Sequence, residues 1–226
     1  MTTISIQDFY SKKFELESTK ILLETPSLFS VEAMESYIYK LMQYRLDEYI
    51  EYLHSNPNKS EITSKDITQL SSIEDCTTNM CRVMLSHENS GLSLPDIASG
   101  LHADDSYKDN LVALMKYGEN QVKTASQLGL CVFWNELWYL SSVGYIFLNL
   151  PENVQNKYLS INLLRDPFYS KVIESLCQKD TCLKDFMEIL SESTQKRRSS
   201  SCNRVLAFFY KQCKEEEVKI YNIIKK

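Results

Sequence analysis

Two stretches hold side chains suited to contacting an anionic polymer. Asn120, Gln121, Lys123 and Thr124 lie within KYGENQVKTASQLGL, and Ser193, Thr194, Lys196, Arg197, Arg198 and Arg204 lie within SESTQKRRSSSCNRVLAFF. Amides donate and accept at base edges, guanidinium groups fit guanine edges and phosphates, and a helix start with Ser193 and Thr194 offers free N–H groups to a phosphate. The competing readings are an ordinary solvated helix face for the first stretch and, for the Lys-Arg-Arg run, a solvated helix start or a contact for an acidic partner.

Covalent chemistry finds no comparable constellation. A metal-dependent nuclease needs an Asp on one strand and Glu-x-Lys on the next, to hold a metal beside a lysine. The one suggestive triplet, Glu217-Val218-Lys219, is expected in a charged terminal helix with no strand before it. No G-x-x-x-x-G-K-S/T, H-E-x-x-H or G-x-S-x-G occurs, and five glycines leave no phosphate-cradling loop. The expectation is a protein that is not an enzyme, with no catalytic residues and no cofactor. The seven cysteines form no disulfide framework. Cys76/Cys81 and Cys177/Cys182 are spaced C-x4-C, looser than the usual zinc pairs, and His54, His87 and His102 lie near none of them, so buried thiols in a reducing compartment are expected and no metal.

The elements that must position the donors are helical. Few Gly and Pro, with abundant Leu, Ile, Tyr, Lys and Glu, predict mostly helix with one or two short β-ribbons. No run approaches the ~18 apolar residues of a membrane span and the N-terminus lacks a signal pattern, so a cytoplasmic protein without membrane contact is expected. The net charge of −5 argues against nucleic acid until its distribution is read: residues 165–226 carry 13 Lys and Arg against 9 Asp and Glu, and the acidic surplus lies before them.

Three regions follow along the chain: an N-terminal helical domain at 1–90, a first unit at 91–153 and a second at 154–226. After Pro26, Ser30 can cap one amphipathic helix from Val31 to Leu53, whose stripe (Val31, Met34, Ile38, Leu41, Leu46, Ile50) suits a core or a second copy, making a homodimer through the N-terminal helices the sharper alternative. The loop from His54 to Asp66 leads to a helix capped at Thr63 or Ser64 and running through Ile67, Leu70, Ile73, Cys76, Met80 and Met84. Ser93, Pro95 and Asp96 start a short helix closed near Gly100. A helix from Tyr107, a turn at Tyr117-Gly118-Glu119 and a second helix ending at Gly129 follow, with Val122, Ala125 and Leu128 inward and the donors outward. Val132–Trp134 and Trp138–Leu140 flank Asn135-Glu136 as a β-hairpin, and Ser141 or Ser142 caps a further helix. Helices are then expected at Asn156–Leu164, Phe168–Cys177, Asp180–Leu190 and from Ser191 or Ser193 onward, the last with Val205, Phe208 and Phe209 inward.

A plan repeats: helix, shorter helix, polar turn, donor-rich third helix. The first copy is Asp96–Leu101, Tyr107–Lys116 and Gly118–Leu128; the second is Phe168–Cys177, Asp180–Leu190 and Ser193–Cys213. A helix-turn-helix presents the start of its last helix to the major groove. The order of KYGENQVKTASQLGL, WYLSSVGYIFLNL, LLRDPF and SESTQKRRSSSCNRVLAFF resembles a tandem winged-helix region attached to restriction endonucleases and other prokaryotic DNA-defence proteins. The shared features are Leu128-Gly129-Leu130, Gly144, the hinge Leu163–Phe168, and Thr194, Arg197 and Arg198. The resemblance covers about Leu92 to Cys213 and implies tandem winged helix-turn-helix-like units with a hairpin wing that bind double-stranded DNA. Relatives of this kind usually carry a nuclease or ATPase domain, and these residues hold none of its chemistry, so the expected role is a non-catalytic subunit or regulator. The alternative is an adaptor in which winged-helix units hold another protein, such as a separate nuclease or regulator.

Overall fold

The computed structural model describes residues 45–56, 61–64, 66–67, 69–87, 90–101 and 110–224. Helices dominate them, the strands are short, and no described helix is long and apolar enough to cross a membrane. Among the described residues one unit holds Leu70–Pro151, and the other joins the stretch within Met42–Gln69 to Glu152–Lys226. An early segment thus belongs with the end of the chain, because its apolar side chains find their core there.

The single helix expected from Thr63 or Ser64 to Met84 is two short ones in the first unit, α2 (Ile73–Cys76) and α3 (Thr78–Leu85), with Leu70 buried outside any helix there and Ile67 likewise in the second unit. Ser72 caps α2 by accepting from the Asp75 N–H. Thr77 breaks the run (φ −127°, ψ −96°), and its hydroxyl donates to the Ile73 carbonyl at 2.7 Å. Met80, Cys81 and Met84 form the inner side of α3. Leu92 then pairs antiparallel with Trp138 through two 2.9 Å backbone bonds. Ser93 and Asp96 make a reciprocal capping box with Pro95 in the first turn of α4 (Leu94–Gly100).

The expected turn at Tyr117-Gly118-Glu119 does not exist. α5 runs unbroken from Leu111 to Gln127. Gly118 is there because another backbone passes it: a Cβ would sit 2.3 Å from the Leu94 carbonyl oxygen, where α4 begins. The glycine marks a helix crossing, and the repeat drawn from three helices per copy loses its middle member. α5 ends at Gly129 (φ +74°), with the Leu130 N–H bonded to the Ala125 carbonyl, a Schellman closure that explains the Leu-Gly-Leu step. β1 (Cys131–Trp134) and β2 (Leu137–Leu140) form the expected hairpin, in the register Cys131 to Leu140. Asn135 (φ +46°) and Glu136 (φ +65°) make its two-residue turn. Ser141 caps α6 (Ser142–Asn149) by accepting from the Gly144 N–H while donating to the Gly129 carbonyl at 2.6 Å.

The second unit begins with α1 (Leu46–Ser55), the described part of the long helix expected from Val31; the rest of that helix, and with it the stretch expected to pair two copies, lies outside the described residues. Leu46, Tyr49 and Ile50 are buried, and α1 packs on α7 (Glu152–Arg165) and α8 (Pro167–Leu176). Asp166 separates α7 from α8 and caps the latter, its carboxylate accepting from the Phe168 and Tyr169 N–H groups, with Pro167 in the first turn. The helix expected at Asp180–Leu190 is instead a strand, β3 (Thr181–Cys182), and a 3-10 turn, Leu183–Phe186. β3 pairs in parallel with β4 (Ile223–Ile224), so the chain terminus overrides local helix propensity. α9 (Glu192–Glu215) completes the unit. Glu216, just past it, meets the nearly buried Lys157 ammonium at 2.6 Å and accepts from the Leu46 N–H at 2.9 Å, tying α1, α7 and α9 together.

Candidate nucleic-acid interface

α9 sorts its side chains by helical period. Ser201, Cys202, Val205, Leu206, Phe209, Gln212 and Cys213 are buried. Lys196, Arg197, Arg204, Lys211 and Lys214 are exposed, with Ser193, Ser200 and Asn203 among them. At 1.5 Å per residue the cations span about 27 Å along the helix. Lys211 lies 3.8 Å from Glu215. Phe208, expected inward, is only partly buried. Lys211 and Lys214 extend the cationic stripe beyond the expected set; the signal for them was their spacing of seven and ten from Arg204.

The start of α9 is built differently from a simple cap. Ser191 stands at the N-cap without a side-chain bond to the helix backbone, and its hydroxyl donates to Thr194 Oγ1 at 3.0 Å and lies 3.3 Å from Ser193 Oγ. Gln195 reaches back to the Leu190 carbonyl at 2.9 Å. The Lys-Arg-Arg run splits. Lys196 and Arg197 are exposed, whereas Arg198 turns inward and donates to the carbonyls of Ser64 and Ile67, the latter at 2.6 Å. Arg198 is therefore a clamp on the 61–67 segment, and its assignment as a DNA contact is corrected by that geometry.

The donors expected on α5 fare less well. Gln121 and Thr124 are buried at 2% and 5% exposure, and Thr124 donates to the Asn120 carbonyl at 3.5 Å. They lie on the core side because helical phase puts Gln121 four and seven residues before the buried Ala125 and Leu128, and Thr124 four residues before Leu128, within one buried stripe. Asn120 is partly buried. Lys123 is exposed but bonded to Glu119 at 2.5 Å, and Lys116 holds the same carboxylate at 2.7 Å. Those two bonds, Lys116 first, keep the Glu119 carboxyl below its ordinary range. The first turns of α5 show apolar side chains: Leu111, Val112 and Met115 are all exposed. Sequence periodicity alone did not separate them from core residues. α5 and α9 belong to different units.

The thiols carry no reactive site among the described residues. Six of the seven cysteines are buried and all are free. Burial pushes Cys81, Cys202 and Cys213 up to about 12 and the partly exposed Cys177 to about 11.

Comparison with protein-family models, with curated proteins and with solved structures gave no match.

Proposed function

We propose that the chain binds double-stranded DNA through the outer stripe of α9, without covalent chemistry of its own, as a non-catalytic subunit or regulator of a DNA-defence system. The observation that carries this reading is the row Lys196, Arg197, Arg204 and Lys214, exposed on one side of a long helix whose other side is core. Guanidinium and ammonium groups at that spacing suit successive phosphates, with Ser193, Ser200 and Asn203 between them for base edges or sugar–phosphate oxygens. The order of elements supports a winged-helix reading in the first unit, where α3, the paired Leu92, α4, α5 and the β1–β2 hairpin follow one another. In the second, α8, β3, the 3-10 turn and α9 repeat that order without a hairpin among the described residues.

The test is fluorescence anisotropy with a duplex pool at two salt concentrations. The expected salt slope is about 0.9 per neutralised phosphate, and the double reversal Lys196→Glu, Arg197→Glu should abolish binding while leaving the far-UV circular dichroism intact. Unchanged affinity in that variant would reject the proposal. Arg198 must stay, since replacing it would disturb the 61–67 segment and confuse loss of fold with loss of contact.

A second reading, an adaptor that holds another protein, is favoured by one observation: the first turns of α5, where a reader helix would present donors, present Leu111, Val112 and Met115. A chain that binds no duplex at low salt would satisfy this reading and not the first.

A further inference from the structure

A helix-turn-helix turns the first residues of its last helix toward base edges, but the polar groups at the start of α9 are engaged within the protein. Gln195 is partly buried and its amide donates to the Leu190 carbonyl at 2.9 Å. Thr194, also partly buried, accepts from the Ser191 hydroxyl at 3.0 Å. Glu192, the first helical residue, is exposed, and its negative charge opposes insertion of that end between two rows of phosphates.

Beyond the first turn the exposed surface is narrow. With a step of about 100° per residue, the exposed side chains run from Asn203 round to Arg197, about a third of the circumference, and the rest faces or borders the core. Ser193, Ser200 and Ala207 form the middle of that third, one every seven residues and so nearly in line along the axis. None of them carries the two-pronged group that pairs with a single base. The long side chains flank this line, Lys196 and Lys214 on one side and Arg197 and Arg204 on the other. Asn203, whose amide could pair with adenine, stands at the edge of the exposed third and not at its centre.

We infer that α9 holds a DNA duplex by the phosphates on the two sides of a groove and does not read its bases, so that the ligand is double-stranded DNA of any sequence. The inference rests on the DNA reading above and narrows it. Short side chains along the middle let the helix settle on a groove about 12 Å wide, and the flanking cations diverge toward its two walls. The two-pronged contacts that discriminate between bases are left without a side chain at the centre. Affinity comes instead from displaced counterions, which every sequence supplies alike.

The test is repeated selection of bound duplexes from a random pool at low salt, followed by anisotropy on an A·T-rich and a G·C-rich duplex of equal length. No motif should be enriched, and the two affinities should agree within about tenfold, where a sequence reader separates its site by about a thousandfold or more. Both duplexes should show a salt slope of about 3 to 4, from four cations at about 0.9 each. Lys196→Gln should lower that slope by about one on both, and Asn203→Ala should change both affinities by the same factor. An enriched motif, a preference above tenfold, or an Asn203→Ala protein that alters the ratio between the duplexes would overturn the inference and leave DNA binding standing. A chain that binds no duplex would reject both.

Discussion

Arg197 and Arg198 are neighbours in sequence with opposite surroundings, because a 100° step per residue carries one into solvent and the other over the 61–67 segment. The carbonyls of Ser64 and Ile67 fix the second guanidinium, whereas the first is exposed. A comparable choice operates at Asp75 in the first unit. Burial alone would raise its pKa, but hydrogen bonds from Asn79, Ser71 and Tyr117, at 3.1, 2.8 and 3.2 Å, more than offset this and hold it below the ordinary carboxylate range. The charged form is thus favoured by folding. Its stabilising contribution is fully present above the unfolded-state pKa of about 4 and is lost as pH falls through the lower folded value. Asp75→Asn should cost about 1 kcal/mol at pH 6, a figure kept small because solvent reaches the site, and the cost should shrink on acidification to about pH 3. Urea midpoints of both proteins between those pH values would check it; a difference independent of pH would show that the charge is irrelevant there.

At the scale of elements, what was legible in the sequence was local and what was not was tertiary. Ser93, Ser141, Asp166 and Gly129 act within four residues of themselves, so the starts of α4, α6 and α8 and the end of α5 followed from composition. The hairpin followed from β-favouring runs about Asn135-Glu136. Gly118 was misread as a turn because its cause, the Leu94 carbonyl, lies 24 positions earlier; Thr181 and Cys182 were misread as helix because their partners, Ile223 and Ile224, lie 42 positions later. Gln121 and Thr124 among the candidate donors are buried for a local reason, their i, i+4 spacing to Ala125 and Leu128. Both special glycine and turn positions make opposite predictions. Gly118→Ala gains helix propensity of about 1 kcal/mol but drives a methyl into a backbone oxygen, so a net loss of about 1–3 kcal/mol is expected. Glu136 is an exposed residue held left-handed, where the favoured hairpin pair is Asn-Gly, and Glu136→Gly should stabilise by about 0.5–1 kcal/mol. Thermal melts that move both variants in the same direction would contradict this account.

The division of the whole molecule makes the second unit depend on a segment that precedes the first. Leu46, Tyr49 and Ile50 bury their side chains on α7 and α8, about 2 kcal/mol each, or about 6 kcal/mol together. Removing the segment would further deprive Glu216 of the Leu46 N–H and Arg198 of its two carbonyl acceptors. A loss of that size is comparable to the whole stability of an ordinary domain. A fragment of residues 152–226 should therefore retain helix by circular dichroism yet unfold without a sharp transition and bind a hydrophobic dye, and adding a peptide of residues 42–69 should restore cooperative melting. The 13 Lys and Arg of residues 165–226 would still be present in the fragment, so loss of duplex affinity in it, regained with the peptide, would show that DNA binding needs α9 held in place and not charge alone. A fragment that melts as sharply as the intact chain would mean that the early segment is an ornament of the second unit and not part of its core.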